Sequence, residues 1–147
     1  MSLKKIISFV VSGEEFNSKI SNLTLLLGRL GIGGMMAFAH GIGKIPPSEG
    51  FVQAVGALGF PLPSLFAFAA GLAEFIGAFF VAIGLSTRFS SIFVCITMFV
   101  AAFGRHFADP FAKKELALVY FFSFLVLAST GAGKLSLDYL IKKKMSL

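Results

Sequence analysis

Two ionisable residues lie inside long apolar runs of this sequence: Arg29 within 23–42 and Glu74 within 63–85. A charge at bilayer depth costs at least ~2.5 to 3.5 kcal/mol, so each needs a partner or a task. If both runs are helices rising 1.5 Å per residue, Arg29 sits ~10 Å and Glu74 ~16 Å from the same end, a gap that an arginine side chain covers. The two are therefore expected to meet, either as a structural ion pair between helices or as part of a binding site. His40 and His106 form a second group. Each falls near the opposite end of its run, with Lys44 one turn beyond His40, Arg105 beside His106, and Glu49, Asp109 and Glu115 in the adjoining loops. Imidazole exchanges a proton near neutral pH or ligates iron, and a neighbouring cation stabilises a quinol anion or a carboxylate. Haem held by the two histidines is disfavoured, because such sites lie deeper and need room that bulky neighbours contest. No HExxH, nucleophile elbow or pair of metal-binding cysteines occurs, so no metal site is expected. The single cysteine, Cys95, provides neither an internal disulfide nor a dithiol relay, and electron chemistry would need a bound cofactor or a partner.

The elements that must position these residues follow from composition. The chain has 147 residues, 56% hydrophobic and 14% charged, with a mean hydropathy of +0.89. A soluble domain carries roughly 25% charged residues, so this apolar surplus cannot be hidden in one small core. A soluble α/β enzyme, a disulfide scaffold and a disordered chain are excluded, and there is room for about four spans of ~20 residues. Backbone hydrogen bonds must close within each span, which makes helices the expected element. The expected fold is an all-α integral membrane four-helix bundle with spans at 23–42, 63–85, 89–107 and 116–132. A short interfacial helix is expected between the first two spans, where Phe51, Val55 and Leu58 recur at helical spacing between proline pairs. The domain division is a cytoplasmic amphipathic segment at 1–22, a membrane domain at 23–141 and a basic cytoplasmic tail at 142–147. Lys4, Lys5 and the short apolar run 6–11 imitate a signal peptide without its cleavage pattern.

Small residues mark where helices approach: Gly33, Ala37 and Gly41 in the first span, and Ala67, Ala70, Gly71, Glu74, Gly77 and Ala78 in the second. The net charge of +6 flanks apolar segments instead of gathering on a polar face, so the bilayer and not nucleic acid is the expected partner. Lys4, Lys5, Lys19, Arg88, Lys134, Lys142, Lys143 and Lys144 on one side outnumber Lys44, Arg105, Lys113 and Lys114 on the other. Both termini are accordingly placed in the cytoplasm of a bacterial inner membrane. After Gly131 and Gly133, a leucine-rich stretch beside Lys142–Lys144 reads as an interfacial segment held to anionic lipid. Asn22-Leu23-Thr24 spells a glycosylation sequon but falls at the cytoplasmic interface.

The whole pattern resembles the DoxX family of small four-helix bacterial membrane proteins. The likeness rests on Gly28-Arg29-Leu30, His40-Gly41-xx-Lys44, the run from Gly59 to Pro63, Glu74, Thr87-Arg88-Phe89, the histidine at 106, and Gly131-x-Gly133-xx-Ser136-Leu137-Asp138. It implies a membrane subunit of a quinone-linked redox complex, of the thiosulfate:quinone oxidoreductase kind or one handling oxidative stress. The chain would bind a quinone headgroup or anchor a soluble redox partner, and would be at most the membrane subunit of an oxidoreductase. Arg29, His40, Lys44, Glu74 and His106 are then the expected quinone-binding residues, with Arg88, Ser136 and Asp138 as structural polar groups. Two other classes stay open: a small-solute transporter or channel, for which homo-oligomerisation would supply a pathway, and a structural anchor with no chemistry of its own.

Overall fold

In a computed structural model, residues 16–145 are described, together with Ile7 and Gly13. Of the N-terminal segment, Lys4, Lys5 and all of 6–11 except Ile7 lie outside the described residues, as do the last two residues of the tail. Among the described residues the fold is all-helical. Helix α1 runs Lys19–Lys44, α2 Glu49–Ala57, α3 Pro63–Ile83, α4 Thr87–Arg105, α5 Phe111–Thr130 and α6 Leu137–Lys144.

Local chemistry sets these limits. Ser18 caps α1, its hydroxyl accepting from Ser21 N, so the helix starts a turn before the apolar run at 23. Ser48 caps α2 by accepting from Phe51 N. Pro63 opens α3, where a missing N–H is harmless, and Gly84 closes it at φ 73°. Pro110 precedes α5, and Gly131 ends it. Helix α5 therefore begins at Phe111, earlier than the expected 116, and its first turns carry Lys113, Lys114 and Glu115. Among the described residues three helices, α1, α3 and α4, are long and apolar enough to cross a membrane. The 20-residue α5 carries those three charges and packs along α4.

The core is thin and mostly made of small or slender groups: Met36, Ala37, Ala78, Val81, Val94, Cys95 and Met98 meet Tyr120, Phe124 and Leu127. Most phenylalanines point outward, including Phe38, Phe93, Phe99, Phe103 and Phe122, as lipid-facing side chains do. Between α4 and α5 an apolar groove of about 270 Å³ is lined by Ile92, Cys95, Ile96, Phe99, Phe121, Leu125 and Ala128.

Helices α1 and α3 touch backbone to backbone. A Cβ on Gly33 would lie 2.7 Å from Ala78 O, and one on Gly41 2.5 Å from Glu74 O. Ala37, midway between them, is fully buried. This is the small-residue seam expected from sequence, and it fixes the register of the two helices. Gly41→Ala should therefore force α1 away from α3 and cost about 1–3 kcal/mol, a drop of several degrees in thermal midpoint in detergent. Gly28→Ala, on the same helix with open space around it, should leave the midpoint unchanged or slightly raised. Equal losses in both variants would mean that the seam does not set the packing.

Candidate functional site

The register of the seam separates the two intramembrane charges. With Gly33 against Ala78 and Ala82, and Gly41 against Glu74 and Phe75, Arg29 arrives at the last turn of α3. Glu74 lies eight residues before Ala82, ~12 Å away along that helix. The expected Arg29–Glu74 pair is not formed. The sequence reading took the apolar boundary at 23 as level with the end of the second span, whereas α1 overhangs α3 there.

Arg29 is fully buried and serves the end of α3. Its Nη1 donates to the carbonyls of Val81 at 3.2 Å and Ala82 at 3.1 Å, and its Nη2 donates to Leu135 O at 2.7 Å. Val81 O also accepts from Gly84 N at 3.1 Å, whereas no described backbone amide donates to Ala82 O, and a cation there also suits the helix dipole. Gly84 makes room: a Cβ would sit 2.5 Å from Nη1. Across the same turn, Asp138 accepts from Ser86 N at 2.6 Å and Thr87 N at 2.9 Å, capping α4 from 51–52 residues away. The amide of Asp138 returns a bond to Gly84 O at 2.8 Å. Ser136 caps α6 by accepting from Tyr139 N and donates its own hydroxyl to Gly133 O. Arg88 Nη2 donates to Ser129 O at 2.7 Å, tying α4 to the end of α5. Asn22, buried, donates to Phe16 O and Ser18 O and accepts from Lys134 N. From sequence Asn22 is legible only as part of a sequon, since nothing local announces its partner Lys134, 112 residues away.

The second cluster lies toward the other end. Glu74 is 3% exposed, and its Oε2 accepts from Lys44 Nζ at 2.5 Å. No described residue donates to its other carboxylate oxygen. Lys44 is half-buried and also stands 5.2 Å above the ring of Phe51 on α2, a cation–π contact. His40, one turn before Lys44, meets the buried Tyr120 of α5 edge to face at 5.4 Å. Both His40 and Glu74 sit in π-helical segments, Met36–Gly41 in α1 and Ala73–Gly77 in α3, which face one another. A third, Ala101–Arg105, ends α4. Widened turns of this kind recur at functional sites, and no sequence pattern announces them.

His106 does not join His40. Its Nδ1 lies 2.7 Å from Asp109 Oδ2 in the loop before α5, and no hydrogen bond or ring contact links the histidines among the described residues. The bond from His106, helped by the charges of Lys113 and Arg105, holds the Asp109 carboxyl below its ordinary range. That loop is a polar turn, with Lys114 Nζ donating to Phe107 O. Of the five expected ligand residues, the structure thus brings Lys44, Glu74 and His40 to neighbouring turns and sends Arg29 and His106 elsewhere.

A sequence model of DoxX matches residues 24–107, from α1 through α4. The chain belongs to the DoxX family. Its similarity to the protein named "Putative oxidoreductase CatD" of Bacillus subtilis (strain 168) is 32% identity over 113 residues, covering 76% of this chain and 83% of that protein. "Inner membrane protein YphA" of Escherichia coli (strain K12) is 30% identical over 125 residues, 78% of this chain and 87% of its own. An "Uncharacterized protein" of Haemophilus influenzae is 39% identical over 74 residues, 48% of this chain and 49% of its own. No solved structure matches. The DoxX match includes both residues of the Lys44–Glu74 pair and Arg29, but stops before Asp138.

This division of the charges is testable by double-mutant cycles. Arg29→Met should lose about 3–5 kcal/mol, because three carbonyls and Asp138 lose their cation. The cycle of Arg29→Met with Glu74→Leu should be additive within ~0.5 kcal/mol, and that with Asp138→Asn should not. Rescue of Arg29→Met by Glu74→Leu would restore the pairing expected from sequence.

Proposed function

We propose that this DoxX protein is the membrane subunit of a quinone-linked redox complex, with the headgroup received at the Lys44–Glu74 pair beside His40. The observation that carries this reading is the buried carboxylate of Glu74, with one oxygen engaged by Lys44 and the other without a donor among the described residues. The donor set suits a flat ring bearing two oxygens. Lys44 offers further N–H groups to a carbonyl, Glu74 accepts from a hydroxyl, and Phe51 and Tyr120 stand by as apolar walls. When bound, a quinone would supply two-electron chemistry accompanied by two protons. The chain's own part is to orient the ring and to take up or release protons at Glu74 and His40. The electrons are assigned to a soluble partner, in keeping with the redox name of the Bacillus subtilis relative and the single cysteine here.

The reading also gives the bundle a direction. Lys19, Arg88, Lys134 and Lys142–Lys144 gather at the end where α1 starts and α6 lies, while the opposite end mixes Arg105, Lys113 and Lys114 with Glu49, Asp109 and Glu115. The α6 end is assigned to the cytoplasm of a bacterial inner membrane, with α5 as the fourth span.

Two measurements test these assignments. Lipid extracted from the purified protein should contain ubiquinone or menaquinone, and Glu74→Gln or Lys44→Met should cut retention of added quinone about tenfold, equivalent to ~1.4 kcal/mol. The double variant Lys44→Met/Glu74→Leu should fold, since it removes both charges together, yet bind no quinone. A folded double variant that binds as well as the parent would make the pair structural and remove the basis for the site. For direction, a Cys95→Ser background carrying Met145→Cys should react with a membrane-impermeant maleimide only in inverted vesicles, and one carrying Lys113→Cys only in intact cells. The reverse labelling would overturn the orientation.

A further inference from the structure

We infer that α6, together with the α3–α4 turn, forms a binding surface for the headgroups of anionic phospholipids. The inference does not depend on the quinone reading. Helix α6 is only eight residues long, too short to hold its place alone, and it is fastened by buried groups. Asp138 grips the amides of Ser86 and Thr87, Leu135 O accepts from Arg29, and Ser136 caps the first turn. These bonds fix which side of the helix faces away from the bundle. At 100° per residue, Asp138, Ile141 and Lys142 point inward, whereas Leu137, Leu140 and Lys144 share the outer face with Lys143 beside them. The burial pattern agrees: Asp138 is buried, Leu140 is 60% exposed, and Leu137, Lys143 and Lys144 are exposed.

Leucines and lysines exposed together on one helix face match a surface that is apolar below and anionic above. Among the described residues, the exposed charge around it is of one sign. Lys19, Arg88 and Lys134 stand at the same end, and among the described residues there the only carboxylate is that of Asp138, which is buried and engaged with two backbone amides. The opposite end, with Glu49, Asp109 and Glu115 among its cations, lacks this asymmetry. A soluble anion would use the lysines but leave Leu135, Leu137 and Leu140 in water, whereas a phospholipid uses both.

The full-length protein, purified in detergent and mixed with equal amounts of phosphatidylglycerol and phosphatidylcholine, would be examined by native mass spectrometry. The parent should retain phosphatidylglycerol at least threefold over phosphatidylcholine, with the preference falling as salt rises. Lys143→Gln/Lys144→Gln should lower retained phosphatidylglycerol by half or more without changing phosphatidylcholine. Lys113→Gln/Lys114→Gln, the same charge change at the far end, should have no effect. The inference is overturned by an unchanged lipid preference in the α6 variant, by an equal loss in the far-end variant, or by displacement of the lipid with millimolar inorganic phosphate. Thermal midpoints of both variants within a few degrees of the parent would confirm that folding is not the cause, and a collapsed α6 variant would be replaced by the single Lys144→Gln with the same criteria.

Discussion

The close approach of α1 to α3 is the constraint from which the placement of every intramembrane charge follows. Helices in lipid gain nothing by hiding apolar surface from one another, so they associate where backbones can come near. Gly33, Ala37 and Gly41 supply that closeness, and Glu74, Phe75, Ala78 and Ala82 receive it. The approach also sets height. A shift of one turn along α1 would move Arg29 away from the carbonyls that end α3 and would carry Lys44 past Glu74. Packing and electrostatics are therefore not separate contributions in this fold, since the charges are satisfied only in the register that the glycines permit.

At the α6 end, a hairpin turn between two apolar helices poses a specific difficulty, because the last carbonyls of α3 and the first amides of α4 face each other with few donors and acceptors of their own. Two long-range groups resolve it with opposite charge. The guanidinium of Arg29 goes to the carbonyl end and the carboxylate of Asp138 to the amide end, each where the helix dipole favours its sign. The left-handed conformations at Gly84 and Ser86 bring these ends close enough for one short helix, α6, to serve both. Arg29 Nε, by contrast, is buried without a partner, so the arrangement is not fully satisfied even here.

Much of this architecture was legible in the sequence. Apolar run length gave the helices, serine, proline and glycine gave many of their limits, and the small-residue stripes gave the seam. The site was legible only as a set of residue types. Arg29 and Glu74 were marked as intramembrane charges correctly but joined wrongly, because depth counted from hydropathy boundaries is uncertain by a turn or two when polar residues such as Asn22 continue a helix beyond its apolar part. Lys44 is legible as a ligand candidate beside His40 but not as the partner of Glu74, since that contact depends on how closely α3 passes it: a Cβ on Gly71 would lie 2.7 Å from Lys44 O. The π-helical segments left no trace in the periodicity, and they turn His40 and Glu74 toward their neighbours.

The contrast between the two buried charges is what directs attention to Glu74. Arg29 has a structural task that an apolar side chain could not perform, because the carbonyls of Ala82 and Leu135 would lose their described donor. Glu74 has none of that kind. Among the described residues no backbone amide donates to its carboxylate, and its only partner there, Lys44, could reach water from its half-buried position. A buried ion pair is often no more stabilising than apolar residues of the same volume, so stability alone gives little reason to keep this one. The widened turns that present Glu74 and His40 further weaken the regular hydrogen bonding of their helices. A charge that packing does not require, held where the backbone departs from its most favourable form, is what the proposed headgroup site would account for.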